Sequence, residues 1–223
     1  MKQYHKIQTV FKRDPNNNYK TLLEGDYSLP EFEYLKDNEW IFTEKVDGTN
    51  IRVMFDGESI TFGGKTDKAQ TPPFLIDRLS EIFLPQLKKF KENFTGDNIQ
   101  VCLYGEGYGE RINKGGKYRE GQGFVLFDVK IGHWWLQRED VEAIAKIFGL
   151  EVAPVLGMGT LSEMLDRTWN GFTSQWGNFI AEGIVARPVV ELKARNGQRI
   201  ITKIKYNDFA RHKNMPDYFE PKV

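Results

Sequence analysis

Lys45 is the residue of this sequence best mounted to act as a nucleophile. It closes one β-like run, residues 40–45, and is followed by a tight Asp47-Gly48 turn and a second β-like run, residues 51–55. Asp-Gly is ordinary turn chemistry. Here it sets an amine on rigid backbone at the lip of a sheet, where a bound ligand can meet it. A free lysine, with a pKa near 10.4, is neutral at pH 7 in only about one molecule in 2,500. A reactive Lys45 therefore needs positive charge beside it, from other lysines or a divalent metal. Lys203 and Lys205, two apart in Thr202-Lys-Ile-Lys-Tyr, suit that need. A strand sends both to one face, where a single phosphate chain can meet both.

Three further segments carry residues of the right type. In Leu103-Tyr-Gly-Glu-Gly-Tyr-Gly, Glu106 is expected at the end of a strand, with glycines that let the backbone approach a ligand. In Phe124-Val-Leu-Phe-Asp-Val, alternation puts Phe127 and Asp128 on opposite faces, one offering an aromatic plane. Glu182 opens the apolar run Glu182-Gly-Ile-Val-Ala-Arg. Taken singly, each has a plainer reading: a solvated turn, a core phenylalanine, an exposed strand face.

The elements that must position these residues read as α+β, mostly antiparallel sheet with a few helices. Strands are expected at residues 4–11, 40–45, 51–55 and 59–62, the last two joined by Asp56-Gly57, a strong hairpin signal. A helical pattern over 74–94 is bent or restarted at Pro85. Strands follow at 99–105, 124–131 and 134–136, with residues 107–123 between them reading as a mobile basic loop. A helix over 138–148 starts acidic and stops at Gly149. After a short strand at 152–156, Thr160 and Glu163 form a capping box for a helix over 160–169. Strands at 180–187, 189–194 and 199–206 finish the chain, with an Asn196-Gly197 turn and a polar tail from residue 207.

Composition narrows the class. The 223 residues can build one sizeable domain, expected over 1–206 with 207–223 as a tail. There is no disordered block and no run near the roughly 18 apolar residues of a membrane span. The 31 Lys and Arg equal the 31 Asp and Glu, so any nucleic acid must be gripped locally rather than by bulk charge. The single cysteine, Cys102, closes no intrachain disulfide. His5, His133 and His212 are too scattered for a histidine-cysteine zinc site. Without a signal-peptide pattern, the chain is expected in the cytoplasm.

In this order, Glu-Lys-Val-Asp-Gly-Thr-Asn at 44–50, Tyr-Gly-Glu-Gly at 104–107, Leu-Phe-Asp-Val at 126–129, Glu-Gly-Ile-Val at 182–185 and Lys-Ile-Lys at 203–205 resemble the covalent nucleotidyltransferases. The nearest form is the RNA ligase 2 family of phage-type RNA-repair ligases, which would place the chain in a host cytoplasm if phage-encoded. The resemblance runs from about residue 4 to 206. It implies a nucleotidyltransferase (adenylation) domain of ATP-grasp-like ligase fold. Lys45 would attack the α-phosphate of ATP and hold AMP as a phosphoramidate. Glu44 would help bind adenine, largely through backbone; Glu106 would contact ribose, Phe127 would stack on adenine, and Lys203 and Lys205 would contact the α-phosphate. Glu182 would serve Mg2+ or Mn2+, with Asp47 and Asp128 as second choices, because phosphate oxygens and water supply most ligands of such ions. The implied partner is RNA with 3′-hydroxyl and 5′-phosphate ends, nicked or broken, in a duplex or not.

Two departures stand out. Where the family places a phosphate-contacting arginine about twenty residues after the nucleophile, this chain offers Lys65, a point charge without the planar fork. Gly64-Lys65-Thr66 is no P-loop, since Ser59 stands where the first glycine belongs. Only 18 residues follow Lys205, against the C-terminal module of many relatives. Extra nucleic-acid contacts are then expected from a partner, another domain, or the basic loop with Arg111, Lys114, Lys117 and Arg119. A minimal DNA ligase, a capping-type nucleotidyltransferase and a non-catalytic nucleotide or RNA-end binding module are the alternatives.

Overall fold

The computed structural model describes residues 3–209. In chain order the elements are β1 (Gln8–Thr9), β2 (Phe11–Arg13), β3 (Leu22–Tyr27), α1 (Pro30–Tyr34), β4 (Trp40–Glu44), β5 (Thr49–Phe55), β6 (Ile60–Gly63), α2 (Pro73–Phe83), α3 (Leu87–Asn93), β7 (Val101–Gly109), β8 (Gln122–Ile131), β9 (Trp134–Trp135), α4 (Arg138–Phe148), β10 (Glu151–Val152), β11 (Val155–Gly159), α5 (Leu161–Asn170), β12 (Gly183–Pro188) and β13 (Thr202–Lys205). This is the expected α+β class with mostly antiparallel sheets. The described residues fall into two compact units, one of residues 3–4 and 47–153, the other of residues 5–46 and 154–209. No helix among the described residues is long and apolar enough to cross a membrane.

The first unit is a six-stranded sheet, ordered β10-β8-β7-β5-β6 with β9 on β8, antiparallel except for the β10–β8 pair. Its helices lay Leu75, Leu79 and Phe83 of α2, Phe90 of α3, and Val141, Ala145 and Phe148 of α4 onto Ile51, Val53, Phe55, Leu103, Phe124 and Leu126. Those spacings of three and four put one stripe of each helix on the sheet. The expected break at Pro85 is a 3-10 turn, Leu84–Gln86, because proline has no N–H to continue the ladder.

The second unit is a five-stranded sheet, ordered β1-β13-β12-β4-β11, with a β2–β3 ribbon. Its core joins Trp40 and Phe42 of β4, Ile184 and Ala186 of β12 and Ile204 of β13 to Phe32 of α1 and to Leu161 and Met164 of α5. Thr160 and Glu163 form the expected capping box.

Several expectations need correction. The strand at 4–11 is two short pieces, because Val10 instead donates its N–H to the Lys203 carbonyl. Residues 189–194 form no strand, only an isolated Lys193–Arg199 bridge. Glu106 is not at a strand end: β7 continues to Gly109, and Glu106 pairs with Asn50 and Val125. The space beside its flanking glycines is filled by Phe124 and Leu75, so those glycines serve packing. Phe127 and Asp128 do not lie on opposite faces. The β7–β8 register shifts between Tyr104, opposite Asp128, and Gly105, opposite Leu126. Phe127 is the extra residue of a β-bulge, and a bulge resets the alternation. Both side chains accordingly reach Tyr4, whose hydroxyl donates to Asp128 at 2.5 Å and whose ring meets Phe127 edge-on at 5.1 Å. The tail from 207 is described only to 209; the rest lies outside the described residues.

Candidate active site

Three strands of the second unit build the site. In β12 and its neighbours, opposed residues share a face: Ile184 faces Glu44 and Ile204, while Val185 faces Thr43 and Lys203, and Gly183 faces Lys205. Lys45 continues the last row, its N–H donating to the Gly183 carbonyl at 2.9 Å. The Ile184 row is buried in the core. Lys45, Lys203 and Lys205 therefore share the opposite face, half-buried, as period two requires.

Glu182 ties the row together. Its Oε2 accepts from Lys45 Nζ at 2.5 Å and its Oε1 from Lys205 Nζ at 2.5 Å. Close backbone contact makes this possible: a Cβ on Gly183 would stand 2.1 Å from the Ile204 carbonyl oxygen, so residue 183 must be glycine for β12 to lie this near β13. Two ammonium groups meet on one carboxylate, and Lys203 lies on the same face two residues back. Such a face suits a phosphate group.

Glu44 faces the other way. It is buried, accepting from the Ser174 hydroxyl at 2.6 Å and the Gln175 N–H at 2.8 Å. Its backbone N–H donates to the Pro154 carbonyl at 3.0 Å.

Lys65, Glu106 and Phe127 belong to the first unit. Lys65 is exposed on the loop after β6. That loop is pinned by Arg52, a buried residue whose Nε donates to the Gly64 carbonyl at 2.8 Å and whose Nη2 meets Asp67 at 2.7 Å. Phe127 is half-buried beside Tyr4. Asp128, one of the two second choices for a metal, is buried and accepts from Tyr4, which withdraws it from that role. The loop expected to be mobile is instead ordered: Ile112 and Tyr118 are buried, and Glu110 N–H bonds the Gly121 carbonyl at 2.9 Å. Arg119 lies over the Tyr108 ring and 3.7 Å from Glu151.

A family model for RNA ligases matches residues 38–205. The chain belongs to the RNA ligase family. Among solved structures it is similar to Naegleria gruberi RNA ligase with pyrophosphate, at 19% identity and TM-score 0.62 over 96% of this chain and 59% of that one. An apo aspartate-to-alanine variant of that ligase matches at 18% and 0.63, over 95% and 59%. A glutamate-to-alanine variant with ATP and manganese matches at 18% and 0.62, over 91% and 57%. At such identities the likeness speaks for the fold, and the chain spans about 59% of the length of the first of these structures.

The residues of this RNA ligase family member fit a metal of one kind only. Among the described residues, no three His, Cys, Asp or Glu side chains cluster to hold an ion. Glu182, on the lysine face, fits a magnesium- or manganese-type ion whose other ligands are phosphate oxygens and water.

Glu44 carries a pH signature. Burial raises its carboxyl above the ordinary 4.5, against the lowering by the Gln175 N–H, the Ser174 hydroxyl and Arg167. A raised folded pKa means tighter proton binding in the folded state, so the benefit is complete below the unfolded pKa and lost as pH rises through the folded one. Glu44→Gln escapes that loss, since its amide oxygen can accept from Gln175 and its amide NH2 can donate to Ser174. The thermal midpoint of the variant should gain on wild type as pH is raised above 4.5; a difference that stays constant with pH would refute the burial argument.

Proposed function

We propose that this chain is the adenylation portion of an ATP-dependent RNA ligase of the RNA ligase 2 type. The observation that carries the reading is the half-buried Lys45 amine held with Lys205 on the two oxygens of Glu182, in a chain whose family match runs from 38 to 205. Neutral Lys45 attacks the α-phosphorus of ATP. An N–P bond forms, the bond to the β-phosphate oxygen breaks, and pyrophosphate leaves. The AMP then passes to an RNA 5′-phosphate, and a 3′-hydroxyl displaces it to form the phosphodiester.

Lys205 and Lys203 hold the α-phosphate oxygens, where charge builds during in-line displacement. Glu182 would hold a divalent ion, which would supply further charge neutralisation at the phosphates. In the first unit, Phe127 takes the adenine face, Glu106 the ribose, and Lys65 a phosphate. The basic loop with Arg111, Lys114, Lys117 and Arg119 is assigned to RNA phosphates; Arg119 also lies 3.7 Å from Glu151. Naegleria gruberi RNA ligase has been solved with ATP and manganese and with AMP and manganese, which supports ATP and a divalent metal here.

The test is incubation with magnesium and ATP labelled at the α-phosphate, followed by a chase with nicked or broken RNA bearing 3′-hydroxyl and 5′-phosphate ends. Label on the chain that moves to RNA and is released as AMP on sealing is the expected result. No label with ATP across metals overturns it, and labelling by GTP alone points to a capping-type enzyme.

A further inference from the structure

We infer that Asn113 and Tyr118 are positioning residues for the attack by Lys45, holding the Asp47-Gly48 turn that begins two residues after it. The inference rests on the adenylation reading above.

The loop between β7 and β8 is rich in glycine and looks free from its composition, yet it reaches the turn with two side chains. Asn113 Nδ2 donates to the Gly48 carbonyl at 2.6 Å and approaches Asp47 Oδ1 at 3.3 Å. The Tyr118 hydroxyl accepts from the Asp47 N–H at 3.3 Å. Two backbone groups and one carboxylate oxygen of a two-residue turn are thus met by one loop.

The loop is built for this. Asn113 has φ +48° and Arg111 φ +63°, left-handed backbone that only glycine adopts without cost and asparagine tolerates best of the rest. That backbone turns the Asn113 amide back onto Gly48. Tyr118 is fixed by burial and by an edge-on contact of 6.2 Å with Tyr108. Ile112, between them in sequence, is anchored in the core. The far side of the turn is closed by β7: a Cβ on Gly48 would stand 2.4 Å from the Gly107 carbonyl oxygen and 2.7 Å from Glu106 Cγ. With the loop on one side and β7 on the other, the turn has little room to rotate, and the chain leaving Lys45 is fixed within two peptide units. A nucleophile needs such restraint, since a small misplacement of the reacting atom is costly in rate.

The test compares Asn113→Gly, Asn113→Asp and Tyr118→Phe with wild type in single-turnover labelling by α-labelled ATP. Glycine keeps the left-handed backbone and removes only the amide. Aspartate keeps the shape but turns the donor into an acceptor facing two oxygens. In each, kcat for lysyl-AMP formation should fall, by about 10- to 100-fold in the Asn113 variants, with KM for ATP and the thermal midpoint unchanged. Variants that label at the wild-type rate overturn the inference while leaving the adenylation reading intact. So does a loss confined to KM, which would make these side chains ATP contacts, or one that tracks the thermal midpoint. A wild type that never labels fails the adenylation reading itself.

Discussion

Lys45→Arg should take up no label from α-labelled ATP at any pH, and Lys45→Ala none either. The arginine variant is the more informative. It keeps a cation beside Glu182, so the lysine face retains its charge balance and the half-buried carboxylate a partner. What it loses is a group that can be deprotonated in a protein, and so any neutral nitrogen to attack phosphorus. A folded, monodisperse Lys45→Arg that still carries acid-labile, base-stable label would move the nucleophile to another lysine, with Lys203 and Lys205 the first to examine. The expected loss is complete, because without the nucleophile no covalent intermediate forms.

Glu182→Gln should slow labelling at saturating ATP and magnesium by roughly 100- to 1,000-fold, the scale seen when one charge-stabilising group is removed from an active site. The amide keeps the shape of the side chain and removes the charge that bridges Lys45 and Lys205. A variant with a near-normal maximum would show that Glu182 only staples two strands.

Much of this was legible in the sequence wherever the physics is local. The Asp56-Gly57 hairpin, the helix from Arg138 to Gly149 and the Thr160 capping box depend on residues within a few positions of one another, and all formed as read. Period two placed Lys203 and Lys205 on one face. What escaped is what depends on distant partners. Glu44 faces the core because Ser174, 130 residues on, offers it a hydroxyl. Arg52, in an apolar run, gave no hint that it would reach across to Gly64 and Asp67. The bulge at Phe127 leaves no mark in an alternating pattern, since one extra residue is invisible until its partner strand is known. Glycine content suggested a mobile loop at 107–123, but Ile112 and Tyr118 were apolar anchors within it, and they were the available signal.

The interleaving of the two units fixes the order in which the reactive centre comes into being. During synthesis, β4 emerges early and ends beside Lys45, but its sheet neighbours β11 and β12 appear only after residues 47–153 have been made. The first unit, nearly continuous in sequence, can close its core while the second waits with β4, an interior strand of its sheet, unpaired. Lys45 consequently travels without Glu182 and Lys205 until translation has passed residue 205. Pairings so far apart along the chain are the slow ones to form, and an exposed strand such as β4 is the segment most open to wrong partners in the meantime. The proposed nucleophile is thus encoded near the start and meets its ion-pair partners only at the end.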